Sequence, residues 1–362
     1  MSRATMIGPG TGDHGSIGGV VTTAIEAVAL IVELVESPGA PEEGKAVAGP
    51  AVAGPAVAGP AVAGPAVAGP AVAEEDGSSK MDSYWSGAPE FPGSEVSEEW
   101  VSVDDGVRLR VITWRPTESI NRPVVVFVAG WGSVFEGWRP LISKWSAERT
   151  IFYIETREKG SSEISRKVSK SDFSVEKLSS DLAEVLRFYE LDSTDIDWFS
   201  SSLGSTILID AFSRGRLSGR SSILLAPNSE FKFPIWARAM IIMPLPRFMY
   251  SMIVRLAVWA VERKVKEEGQ RIRYRRALLS QDLQKMHLSA RSLIRYSLPE
   301  NLEGISFPCA VMTAYSDKLH GMDKAMGIVD RIPDCKFIEV PSNQYAHEAD
   351  VISDINDFQS LE

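Results

Sequence analysis

Apolar and polar residues alternate along 100–103 and 109–114, on either side of Asp104-Asp105-Gly106, a pattern that predicts a β-hairpin. The pattern then changes. Val124-Val125-Val126-Phe127-Val128 is a continuous apolar run, as expected of a parallel strand covered on both faces. Strand-like runs recur at 151–154, 195–199, 222–226, 309–314 and 336–340. Between them the period lengthens to that of a helix: through Trp138, Leu141 and Trp145, over 174–189, over 206–212 and over 322–332. In 174–189 the helical spacing is carried by Val175, Leu178, Leu182, Val185, Leu186 and Tyr189, with Ser174 placed to act as N-cap. Strands alternating with helices predict βα units and a mostly parallel central sheet flanked by helices, an α/β fold.

Two parts of the chain break the alternation. Residues 228–301 are rich in methionine, arginine and tryptophan, have helical periodicity and show no strand-like run. Pro244 and Pro246 mark a break before a helix that begins near Arg247. On that helix Arg247, Ser251 and Arg255 fall four apart on one face, while Met249, Met252, Ile253, Leu256 and Val258 cover most of the rest. Such a helix suits a cover over an apolar site, a weak contact with a membrane surface, a dimer or partner interface, or plain burial with its arginines reaching solvent. The cluster from Arg271 to Arg276 is partly offset by Glu262, Glu267 and Glu268 and reads as a solvated face.

The other break is residues 1–80. Five copies of Ala-Val-Ala-Gly-Pro fill 46–70 and a partial copy ends at Ala73. A proline every fifth residue forbids a continued helix, so this part reads as a disordered, low-complexity N-terminal tail. Residues 20–35 read as a helix with Glu26 and Glu33 on one face, either weakly structured with no role or a dock on a partner, a membrane surface or the chain's own folded body. The folded pattern opens at Met81, so 81–362 is the expected domain, and a shorter product starting at Met81 is a further expectation.

Composition narrows the class. The 362 residues are 44% apolar and 24% charged, as in a soluble globular protein. The net charge is −10, and 1–80, with nine acids and three bases, holds −6 of it. A balance of −4 over the remainder gives no support to nucleic-acid binding. Two cysteines, Cys309 and Cys335, make neither a disulfide framework nor a metal site and read as buried free thiols of a reducing compartment. Arg3 is the only early base, Glu26 interrupts the early apolar stretch, and no eighteen apolar residues run together. With neither signal peptide nor membrane span, the expected location is cytoplasmic.

The candidate chemistry centres on Ser200-Ser201-Ser202-Leu203-Gly204-Ser205, between a strand-like run and a helix-like one. A turn that exposes one hydroxyl at the top of a sheet needs small residues two before and two after it. Ser202, with Ser200 and Gly204 at those positions, meets the requirement. Were Ser201 the nucleophile, bulky Leu203 would sit where helix and strand press together. The stretch resembles the nucleophile elbow of the α/β-hydrolase superfamily, G-x-S-x-G, with Ser200 in place of the first glycine. Ala129-Gly130-Trp131-Gly132-Ser133 is similar to that family's H-G-x-G loop, with Ala129 for the histidine. The resemblance implies an oxyanion hole from the backbone N–H groups of Trp131 and Leu203, with Gly130, Gly132 and Gly204 as the structural glycines. Residues 155–162 resemble the family's D-x-R-G-x-G-x-S loop, with Glu155 for the aspartate and Glu158 for the first glycine, and imply an architectural role.

The same resemblance, which spans about 97–360, puts a triad acid just past the penultimate strand and a histidine after the last one. Asp317 and His347 match those positions, although Ala314 stands where the family often has glycine. His14 lies in the tail, His287 in the cap-like segment and His320 in the acid's own loop, while Glu230 is a fallback acid. Serine needs a base to take its proton, and the base needs an acid to hold its tautomer. The implied protein is a serine hydrolase with a helical cap over 228–301, acting on an ester, thioester or related acyl bond of a hydrophobic small molecule, without metal or cofactor. Carbon–carbon bond hydrolases, aminopeptidases and acyltransferases use the same triad, and a non-catalytic binding or scaffold module is the alternative of another class.

Overall fold

The computed structural model describes residues 87–360, apart from 234, 265–274, 276–277, 315–321 and 343. The helix expected over 20–35, the repeats at 46–73, Met81, His14, Asp317 and His320 lie outside those residues. Of the basic cluster near 271–276 only Arg275 is described, and it faces Glu262 at 3.8 Å with both side chains exposed.

The predicted hairpin is present and longer than its alternating core, as β1 (Ser94–Asp104) and β2 (Val107–Pro116). Then follow β3 (Val125–Val128), α1 (Arg139–Trp145), β4 (Ile151–Ile154), the short β5 (Glu163–Ile164), α2 (Val175–Phe188), β6 (Asp197–Ser201) and α3 (Leu203–Ser213). After β7 (Ser221–Leu225) come three helices, α4 (Ile235–Ile242), α5 (Arg247–Lys264) and α6 (Leu283–Leu293). The alternation resumes with β8 (Cys309–Ala314), α7 (Met322–Val329), β9 (Lys336–Val340) and α8 (Val351–Ser360). Ser174 caps α2 as expected, its hydroxyl accepting from the Lys177 N–H. β6 begins two residues later than its apolar pattern, because Asp192 caps a 3₁₀ turn over Ser193–Asp195.

One nine-stranded sheet holds these elements in the order β1-β2-β4-β3-β6-β7-β8-β9, with β5 beside β2. From β4 to β9 all neighbours are parallel, and the hairpin pairs antiparallel with itself and with β4. Period two sends alternate side chains into two apolar layers. Val126, Val128, Trp198, Leu224 and Val311 join the layer with α2, α3 and α7. Phe127, Tyr153, Phe199, Ile223 and Met312 join α1 and α8 on the other face. This explains the continuous apolar runs: each strand is buried on both sides.

The strand order also locates a crevice. After β3 the chain moves outward to β4, then crosses back to lay β6 on the other side of β3. The loops leaving β3 and β6 therefore diverge, and open α/β sheets bind ligands at such a switch point, beyond the carboxyl ends of the strands.

The loop after β4 is buried almost throughout, from Glu155 to Lys159 and again at Ser161 and Ser162. Buried charge is tolerated only when paired. Arg157 makes a two-pronged bond to Asp181 of α2, 2.7 Å for one prong, and reaches Asp104 of the hairpin at 3.1 Å. Lys177 and Arg157 together hold the Asp104 carboxyl well below the usual carboxylate range. Lys285 of α6, buried, donates to the Lys159 and Ser162 carbonyls, tying the helical segment to this loop. Within that segment His287 bridges two helices: Nε2 donates to the Ile241 carbonyl at 2.8 Å and Nδ1 faces the Tyr250 hydroxyl at 2.7 Å. Neither cysteine is in a disulfide; Cys309 is buried, but Cys335 only partly, because it lies directly before β9.

A depressed carboxyl stabilises the folded state above its unfolded pKa, and that contribution disappears as pH falls towards the folded value. Asp104→Asn is accordingly expected to lower Tm at pH 7, and the gap from wild type to close as pH drops below about 4. Thermal melts across pH 3–8 check this, and a gap independent of pH contradicts it.

Candidate active site

The turn between β6 and α3 carries the strongest local constraint in the described chain. Ser202 has φ 46° and ψ −110°, a conformation that L-residues rarely adopt and that lies away from the ordinary left-handed well. Such a residue costs about 1–3 kcal/mol and persists only where its surroundings impose it. Those surroundings are specific. The Ser202 N–H donates to the Leu225 carbonyl of β7 at 2.8 Å. Two residues on, a Cβ on Gly204 would lie 2.1 Å from the Val128 carbonyl oxygen, so no side chain fits where α3 meets β3.

The three consecutive serines have separate fates. Ser200 is fully buried, and its hydroxyl meets Ser205 Oγ at 3.0 Å and the Ile223 carbonyl at 3.3 Å. A serine is thus accommodated where a glycine was the family expectation, with its polar group satisfied. Ser201 is buried and its Oγ accepts the Gly130 N–H at 2.9 Å. Ser202 is partly exposed, and its Oγ accepts a bond from Asn228 Nδ2 at 3.1 Å.

Asn228 is held in turn by Thr206 on α3, whose hydroxyl accepts the Asn228 N–H at 3.1 Å and donates to its carbonyl at 3.0 Å. Two residues earlier, Ala226 also has positive φ, 45°, directly after β7. The chain therefore bends out of two neighbouring strands through strained residues, and the bends set Asn228 beside Ser202. Strain of this kind clusters at functional sites.

The loop after β3 is fixed from three sides. Gly132 has φ 67°, which favours glycine. The Gly130 carbonyl accepts from the buried Lys159 ammonium, and the Gly132 carbonyl from Gln281 Nε2 at 2.7 Å. Trp131 packs edge-on to Phe233, ring centroids 6.5 Å apart. Trp138 donates its indole N–H to Ser133 Oγ at 2.9 Å and stacks on the His347 ring at 3.9 Å between centroids. His347 closes a 3₁₀ turn, Tyr345–His347, in the connection from β9 to α8. Trp138 therefore links the histidine to the loop after β3. No cluster of three or more His, Cys, Asp or Glu among the described residues could hold a metal ion.

No protein-family model and no curated protein matches the sequence. Solved structures do match. A hydrolase from Pseudomonas aeruginosa superposes with TM-score 0.54 at 14% identity, over 73% of this chain and 96% of its own. A thermophilic esterase from Thermogutta terrifontis gives 0.53 at 16%, over 74% and 96%. An enol-lactonase from Burkholderia xenovorans gives 0.53 at 14%, over 72% and 97%. The chain has the α/β-hydrolase fold.

Within this α/β-hydrolase fold, Gly130, Ser202, Leu203 and Gly204 come together where β3 and β6 end: a Cβ on Gly130 would lie 3.2 Å from that of Ser202. Trp131 and Gly132 share their loop. His347 sits against Trp138, and Asp317 falls in 315–321, outside the described residues. The fallback acid Glu230 is half-exposed and pairs with Lys232 at 2.5 Å. Sequence reasoning missed Asn228, and it missed that Lys159 of the architectural loop reaches Gly130. The signal for Asn228 was its place: it is the first polar side chain after a strand that neighbours the elbow strand.

Gly204→Ala is expected to destabilise the protein by about 3 kcal/mol, because α3 must back away from β3. Chemical denaturation measures this, and an unchanged midpoint contradicts the contact.

Proposed function

We propose that the chain is a serine hydrolase that cleaves an ester, thioester or related acyl bond of a hydrophobic small molecule through an acyl-enzyme. The observation that carries this reading is Ser202 at positive φ on the turn between a central strand and a helix, partly exposed while Ser200 and Ser201 are buried and bonded. A strained serine presented at the sheet's switch point is what a nucleophile requires.

In this reading Ser202 Oγ attacks the acyl carbon and His347 takes its proton. Asp317 orients the imidazole and steadies its charged form. The tetrahedral intermediate collapses when His347 returns the proton to the leaving oxygen, sulfur or nitrogen. A water molecule, activated by the same histidine, then releases the acid and frees Ser202.

Two backbone donors support an oxyanion hole. Leu203 is the first residue of α3, so its N–H has no carbonyl one turn before it and lies at the positive end of the helix. In a trans peptide the N–H of Trp131 points opposite to the Gly130 carbonyl. Lys159 bonds that carbonyl, which directs the Trp131 N–H away from Lys159 and keeps it there. Preorganised donors of this kind are each worth about 10²–10³ in rate. The Asn228 amide donates to Ser202 Oγ, so it does not compete with a base for the serine's own proton. The helices α4 to α6 follow β7 in the chain, the point at which a cap insertion is expected, and the methionine- and tryptophan-rich sequence of that segment favours an apolar acyl group.

A fluorophosphonate probe is expected to label wild-type protein, and Ser202→Ala and His347→Ala to abolish labelling. Survival of labelling in folded Ser202→Ala refutes Ser202 as nucleophile. A folded wild type inert to both this probe and a smaller acylating agent points instead to a non-catalytic binding module. Acyl esters, thioesters and amides of rising chain length then separate the chemistries that share a triad.

Asn228→Ala is expected to slow labelling about fivefold, the worth of one hydrogen bond to Oγ. Asn228→Asp slows it further, because a carboxylate accepts the serine proton in competition with His347 and repels the developing negative charge. Labelling rates at matched Tm test the ranking, and an aspartate variant as fast as wild type contradicts it.

A further inference from the structure

The segment between β7 and β8 carries charge opposite to the rest of the chain. Residues 231–264 contain Lys232, Arg238, Arg247, Arg255, Arg263 and Lys264 against Glu262 alone, a net of +5 in a chain of −10. The same stretch holds six of the nine exposed large apolar side chains among the described residues. Ile235 is 88% exposed and Phe248 72%, and Ile242, Met243, Met252 and Trp259 are about half exposed.

Helical period sorts these residues onto one face. Phe248, Met252, Arg255 and Trp259 recur at i, i+4, i+7 and i+11 along α5 and all face solvent. The opposite face is already covered: Ala257, with Ile253, Val258 and Val261 around it, packs with Leu278. In α4, Ile235, Arg238 and Ile242 recur at i, i+3 and i+7 and are likewise exposed. Arg263 lies 4.5 Å over the Trp259 ring, so cation and aromatic face share one spot of this surface. Met252, which the sequence pattern groups with the apolar residues of this helix, is exposed in the structure.

Large apolar side chains interleaved with arginine on an outer face, over an inner face already packed, match a helix lying in a membrane interface. Arginine stems cover apolar surface while their guanidinium groups meet phosphate. A second copy presenting the same face would set Arg238, Arg255 and Arg263 against another set of the same arginines, and like charges oppose association. Among the described residues no helix is long and apolar enough to cross a membrane, so the contact is with a surface.

We propose that the outer face of α4 and α5 docks on an anionic lipid bilayer, with Phe248, Met252 and Trp259 entering the boundary between headgroups and acyl chains and Arg238 and Arg255 meeting lipid phosphates. This surface does not depend on the catalytic reading, and Ser202→Ala protein tests the two apart.

The experiment is flotation of the full chain with phosphatidylcholine vesicles containing about a third phosphatidylglycerol, against vesicles of phosphatidylcholine alone. Wild type and Ser202→Ala are expected to float equally with the anionic vesicles, and to be released by high salt. Phe248→Ser combined with Trp259→Ser lowers partitioning about tenfold or more, since two interfacial anchors are gone. Arg238→Gln and Arg255→Gln each lower it about fivefold on anionic vesicles and little on neutral ones. The arginine variants change only exposed side chains, so they decide the matter if the serine pair fails to fold. Three results overturn the proposal: no flotation on anionic vesicles, equal flotation on both compositions, or variants that float as wild type does. Light scattering that shows a wild-type dimer dissociated by Phe248→Ser and Trp259→Ser, with no flotation, assigns the face to a second copy instead.

Discussion

The site depends on how closely the turn after β6 presses against the end of β3. Val128 pairs with Ser200 in parallel register, and α3 starts so near that strand that position 204 admits no Cβ. With α3 held there and β6 ending at Ser201, the chain has one residue in which to reverse from strand to helix. Ser202 absorbs that reversal in its backbone, at positive φ. Its side chain is lifted out of the sheet as a consequence, while Ser200 and Ser201 remain in strand geometry with their hydroxyls turned to protein partners. The partly exposed serine is a product of packing between two apolar layers, which supply the free energy that holds a strained residue in place.

Buried charge then fixes what packing leaves loose. The loop after β4 takes arginine, lysine and glutamate into the interior, at a desolvation cost offset only because each has a partner. Arg157 joins the hairpin turn to α2, and Lys159 reaches across to the carbonyl of Gly130. Through Lys285 the same loop is bonded to α6. The loop beside Ser202, the outer helices and the edge hairpin are thus bonded to one buried stretch. Trp138 makes a comparable link on the opposite face of the sheet, between Ser133 and His347.

The helices between β7 and β8 answer to a different balance. Their inner faces are tied down by Leu278, His287 and Lys285, yet their outer faces keep isoleucine, phenylalanine and tryptophan in water beside arginine. A helix that is apolar on both faces is ordinarily buried on both. Here charge and apolar area coincide on one surface of a chain that is otherwise acidic, which separates this segment physically from the sheet that carries the site.

The arrangement of strands and helices could be read from the chain because it rests on local period. Runs such as 124–128 and 309–314 announce doubly covered strands, and the helical spacing in 174–189 names its own buried face. Gly204 and Ser202 could be placed for a related reason: small residues at fixed offsets are a local steric demand. Other features depend on residues far apart in sequence. That Ser201 is occupied by Gly130, that Lys159 orients a loop twenty-nine residues earlier, and that Asn228 reaches Ser202 all follow from strand order, which no period encodes. The solvent-facing side of α5 is the same kind of case, since periodicity groups Phe248, Met252 and Trp259 on one stripe but cannot say whether core or water lies against it. Local steric and hydrophobic patterns determine which elements form. Long-range pairing in the sheet determines which side chains meet at its carboxyl edge, and so what chemistry those elements can hold.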